Sequence, residues 1–90
     1  MDLEKTIKEN LKEDKVIIGF KSVIKILKKG SPQMIVLANN IPEENKKMII
    51  HNAQISNVEI KEYQNDSVNL GLVCGKPFPV SVLAIKRSKK

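Results

Sequence analysis

The feature that most constrains this chain is a switch of hydrophobic period that repeats along its length. Leu3, Ile7 and Leu11 recur every four residues among charges, which places one apolar stripe on a helix. Residues 15–20 are a short β-branched run broken at Gly19, the pattern of a strand entering a turn. The helical period returns over residues 21–29. Val23, Ile24, Ile26 and Leu27 share one face there, and Lys21, Lys25 and Lys28 share the other. Gly30-Ser31-Pro32 closes that helix, since glycine is favoured just past a helix C-terminus.

The same switch occurs twice more. Residues 34–38 are apolar without interruption and flanked by turn residues, as in a strand covered on both faces. After the turn Asn39-Asn40-Ile41, Pro42 suits the first position of a helix, and Glu43 and Glu44 suit its positive end. That helix should run to about Ile55. Residues 58–63 predict a third strand. Asn65, Asp66 and Ser67 offer capping oxygens to a short helix ending at Gly75. Residues 80–85 predict a last strand, followed by a basic tail at 86–90. Helices alternating with short strands imply an α/β layered domain with helices on both faces of one sheet. There is no internal repeat or linker, so residues 1–90 are expected to form one domain.

Charge and cysteine usage narrow the function. Lys and Arg number 16 against 10 Asp and Glu, a net +6 that suits an anionic partner such as nucleic acid. Cys74 is the only cysteine, so no internal disulfide can form. The charged start of the chain lacks the apolar segment of a secretory signal. The longest apolar run, residues 34–38, falls far short of the roughly 18 residues a membrane span needs.

Catalytic readings are poorly supported. His51 is a lone histidine in a helix, more often a surface or core-edge residue than a base. Cys74 would need such a base to act as a nucleophile, and a small buried residue near a helix end is the simpler reading. Glu43 and Glu44 have a sufficient structural reason in the first helical turn. No Cys/His cluster has metal-ligand spacing, and no cofactor is expected.

RNA binding is better supported. The turn Gly19-Phe20-Lys21-Ser22 opens a helix, whose free N–H groups and positive dipole end favour a phosphate. Lys21, Lys25 and Lys28 extend that cationic face, or are simply its solvated side. Asn39-Asn40 is a turn, yet an amide can also read a base edge. Phe78, between Pro77 and Pro79, either caps the core or offers a platform to an unstacked base. Both readings stay open.

Three groups of residues carry a family resemblance: Gly19-Phe20-Lys21-Ser22, then Ile35-Val36-Leu37-Ala38-Asn39-Asn40-Ile41-Pro42, then Leu70-Gly71 followed by Cys74-Gly75-Lys76-Pro77-Phe78-Pro79-Val80. In this order and spacing, over residues 15–85, the chain resembles the archaeal and eukaryotic large-subunit ribosomal protein family L-thirty-e. The resemblance implies a three-layer α/β/α sandwich around a four-stranded mixed sheet. It implies binding to a kink-turn, a sharply bent internal loop, in ribosomal RNA, through three loops at one end of the sandwich. By position, Gly19 and Lys21 would serve in the first loop, Asn40 in the second and Phe78 in the third, with Phe20, Lys25, Lys46 and Lys76 as neighbouring contacts. It also implies a non-enzymatic protein that is monomeric when free and works in the cytoplasm on the ribosome, beside other ribosomal components. The sister group, named after L-seven-Ae, serves also in RNA-modification particles. An adaptor of such a particle, or a regulator of its own message, is the alternative. That group usually places Asn-Glu after the first-loop glycine, where this chain has Phe20-Lys21-Ser22.

Overall fold

A computed structural model describes residues 3–29 and 32–86. The element order is α1 (Leu3–Lys12), β1 (Val16–Ile18), α2 (Phe20–Lys29), β2 (Met34–Leu37), α3 (Glu43–Ser56), β3 (Glu59–Glu62), α4 (Ser67–Val73) and β4 (Val82–Ile85). Every element expected from the hydrophobic period is present. The expected helix stop at Gly30-Ser31 and the tail beyond Lys86 lie outside the described residues.

The differences at element ends have local causes. Gly19 turns the chain with φ +107°, so β1 stops at Ile18 and Phe20 already belongs to α2. Pro42 caps α3 from outside, because its ψ of 141° is extended and not helical. Asn57 ends α3 in the left-handed conformation (φ 59°), a position its short polar side chain tolerates. β4 begins later than expected because the Val80 N–H donates to the Ser67 carbonyl at 3.0 Å and not to a neighbouring strand.

The sheet is four-stranded and mixed, in the order β1-β4-β2-β3. β4 pairs antiparallel with β1 and β2, and β2 pairs parallel with β3. Side chains alternate across β2 and β4 and build two cores. Ile35, Leu37, Val82 and Ala84 pack under α2 and α3, with Val23, Leu27, Ile49 and Ala53. Val36, Ala38, Leu83 and Ile85 pack under α1 and α4, with Ile7, Tyr63 and Leu70. This is a three-layer α/β/α arrangement. Each fully buried aliphatic side chain contributes roughly 1.5–3 kcal/mol relative to exposure.

Register decides where the loops go. Ile18 lies opposite Leu83, and Leu37 lies opposite both Val82 and Glu62. The last residues of β1, β2 and β3 therefore share one end of the sheet with the first residue of β4. The loops at 19, 38–42, 63–66 and 74–81 all emerge there, and α2, α3 and α4 all start there.

Candidate functional site

The first loop is a single glycine. Gly19 has open space where a side chain would stand, so it is required for its positive φ and not for room. Its N–H donates to the Val82 carbonyl, and its carbonyl accepts from the Val23 N–H, so it caps α2. The first-turn N–H groups of α2 have no carbonyl within the helix to meet. Lys21 stands exposed in that turn, while Phe20 is half-buried and packs against the core under α2 and α3.

The second loop is held by the loop at 63–66, a segment the sequence analysis treats only as a source of capping oxygens for α4. The Asn39 N–H donates to the Asn65 carbonyl at 3.1 Å, and the Asn39 amide donates to the Gln64 carbonyl. Asn40 is exposed and meets Ser67 twice. Its Oδ1 accepts from the Ser67 N–H at 2.8 Å, and its Nδ2 donates to the Ser67 hydroxyl at 3.3 Å. Asp66 caps α4 by accepting from the Asn69 N–H, and that bond holds its carboxyl below the usual carboxylate range. No local pattern could have picked out Ser67, since its partner Asn40 is 27 residues away.

The third loop brings Phe78 to the surface. Phe78 is 50% exposed and belongs to neither core. With Val68, Leu72, Lys76, Pro77 and Pro79 it lines a shallow depression on the outer side of α4. Val68 and Leu72 are exposed there at 55% and 68%, and the sequence analysis does not single them out. Their signal was faint: two apolar residues four apart, on the face of α4 away from Leu70.

The lysines divide. Lys21 and Lys46 lie in the first turns of α2 and α3, at the loop end. Lys46 Nζ lies 3.6 Å from the Glu62 carboxylate, a surface pair that holds it only weakly. Lys76 is exposed in the third loop. Lys25 is not brought to this end. It stands one turn further along α2, beside Ile17, Ser22, Ile26 and Lys29 on the β1 flank.

Among the described residues, the two candidate catalytic side chains are not brought together. His51 is exposed on α3, and Cys74 is buried in the core on the opposite face of the sheet. Burial pushes the Cys74 thiol up, partly offset by Lys76, which disfavours the thiolate a nucleophile needs. Among the described residues no group of three or more His, Cys, Asp or Glu side chains could hold a metal. No helix among them is long and apolar enough to cross a membrane.

The chain is similar to several known proteins. Residues 1–90 match the family described as "Ribosomal protein L7Ae/L30e/S12e/Gadd45 family". Large ribosomal subunit protein eL30 of Methanocaldococcus jannaschii is 40% identical over 85 residues, covering 94% of this chain and 77% of that protein. Its counterpart from Methanothermobacter thermautotrophicus is 40% identical over 86 residues, covering 96% and 88%. Among solved structures, a 15.5 kDa RNA-binding protein of Giardia lamblia superposes with a TM-score of 0.80, covering 97% of this chain and 72% of that one. At 16% identity this last likeness is one of fold.

Proposed function

The chain belongs to the ribosomal protein L7Ae/L30e/S12e/Gadd45 family, and from that premise we propose that it is a structural RNA-binding protein of the large ribosomal subunit that grips a kink-turn of ribosomal RNA. It is not an enzyme; its curated relatives are named as ribosomal proteins. The observation that carries the reading is the convergence of Gly19, Asn40 and Phe78 at the one end of the sheet where three helices also start.

Each residue has a task in this reading. Gly19 lets the chain turn so that the first turn of α2 meets a phosphate, with Lys21 beside it. Lys46 and Lys76 add phosphate contacts, and Lys46 exchanges its weak pair with Glu62 for one with RNA. Lys25 reaches only RNA that continues along the flank of α2, and Phe20 mainly props the first loop from below. These charged contacts attract any RNA and choose none. The choice falls to Asn40, which bonds a base edge, and to Phe78, which packs on a base exposed by the bend. Residues 1–90 act as one unit, monomeric when free, on the cytoplasmic ribosome and without a cofactor.

The test is affinity for a kink-turn RNA against a straight duplex of equal length. The kink-turn should bind more tightly, and Asn40→Ala should remove about 1–3 kcal/mol of that preference. Equal affinity for bent and straight RNA would overturn the reading. Co-sedimentation with large subunits through a stringent salt wash separates the ribosomal role from that of an adaptor in another particle.

A further inference from the structure

The pairing of Asn40 with Ser67 fixes more than the loop. A side-chain amide carries two N–H donors on Nδ2 and two acceptor lone pairs on Oδ1. It can normally turn over to suit whatever it meets. Here it cannot. The Ser67 backbone N–H can only donate, so the group 2.8 Å away must be Oδ1. Turning the amide over would set two donors against each other. Nδ2 then falls beside the Ser67 hydroxyl, which rotates to accept one of its protons at 3.3 Å. The second Nδ2 proton is left for a ligand. Asn40 is exposed, so that proton can be reached. Ser67 also ties down the neighbouring loop, because its carbonyl accepts from the Val80 N–H, two residues after Phe78.

We propose that Ser67 is a positioning residue, its backbone N–H setting the polarity of the Asn40 amide and its hydroxyl holding the Nδ2 end in place, so that Asn40 meets the bound base as a donor to a ring nitrogen or carbonyl oxygen. The selectivity of the interface then depends on a residue that does not itself touch the base. This rests on the RNA-binding reading above, and it adds which kind of atom the base must present. An amide free to turn would accept a donor or an acceptor alike. A fixed one discriminates, because the wrong edge leaves two like groups facing each other.

Three variants and two spectroscopic measurements test it on the full chain. Asn40→Asp keeps the oxygen that accepts from the Ser67 N–H and deletes the donor. It should lose about tenfold or more against the kink-turn RNA, beyond any loss against a straight duplex, which reports the added charge alone. Ser67→Ala keeps the N–H that sets the polarity and removes the hydroxyl that holds Nδ2, at the start of α4 where alanine suits the helix. It should weaken kink-turn binding about fivefold without lowering the melting temperature, and Ser67→Thr should restore it. In the free protein, a scalar coupling through the hydrogen bond between the Ser67 backbone nitrogen and Asn40 Cγ should be present. The Asn40 Nδ2 group should be rigid on the nanosecond scale and loosen in Ser67→Ala. Equal losses for Asn40→Asp on bent and straight RNA would overturn the proposal, as would unchanged binding by Ser67→Ala. If the wild-type protein fails to prefer the kink-turn at all, the functional reading falls, and the coupling and Nδ2 mobility still decide whether Ser67 fixes Asn40.

Discussion

A side chain on Gly71 would collide with the carbonyl oxygen of Phe78. Gly71 is buried in the middle of α4, a place where glycine is otherwise unfavourable by roughly 1 kcal/mol relative to alanine. It is required there because the third loop lies directly on the helix backbone. Gly71→Ala should therefore reverse the ordinary helix preference. It should destabilise the protein by about 1–3 kcal/mol and shift the Phe78 loop outward. Urea unfolding checks the first effect. A variant as stable as the wild type would mean the loop yields without cost.

Phe78 itself should behave oppositely. Being half exposed and outside both cores, it contributes little to folding. Phe78→Ala should leave the melting temperature within a few degrees of wild type. It should cost about 1–3 kcal/mol in kink-turn binding if a base rests on the ring. A large drop in stability with normal binding by the folded fraction would make Phe78 a structural residue.

Salt should weaken binding in proportion to the phosphates contacted. With about four to six contacts, log affinity should fall against log salt with a slope of about −3 to −5. Lys21→Ala should make the slope shallower by about one. Lys25→Ala should change it less on a minimal kink-turn, because Lys25 stands on the β1 flank. Titrations at several salt concentrations measure all three.

Alkaline pH should expose the link between α1 and the loop end. The Tyr63 hydroxyl donates to the Glu4 carboxylate across 59 residues of chain. Burial first, and that bond second, push the Tyr63 hydroxyl up from 10.0 to about 12. The folded protein therefore holds this proton more tightly than the unfolded chain does. Its contribution is complete below the unfolded value near 10 and is lost as pH rises toward about 12. Unfolding midpoints followed through that window should fall more steeply for the wild type than for Tyr63→Phe. Parallel curves would show that the bond does not matter.

Much of this was legible in the residues because it is local. Hydrophobic period is a property of neighbours in sequence, so the stripe Leu3, Ile7, Leu11 and the run at residues 34–38 each implied the element that formed. Gly19, Asp66 and Gly75 act through their own backbone or a partner within a few residues, and these too were readable. The ordered set of motifs then implied the family, and with it the sandwich.

What only the tertiary structure decided depends on residues far apart. The last strand in sequence, β4, lies between β1 and β2, and that insertion gathers Gly19, Asn40 and Phe78 at one end. The same packing left Lys25 on the flank, paired Lys46 with Glu62 and put Phe78 on the surface. It also set Ser67 against Asn40, which fixed the way the Asn40 amide points. A period of 3.6 or 2 tells a residue which face it takes. It does not tell which distant segment will stand opposite, because that follows from burying both faces of the sheet at once.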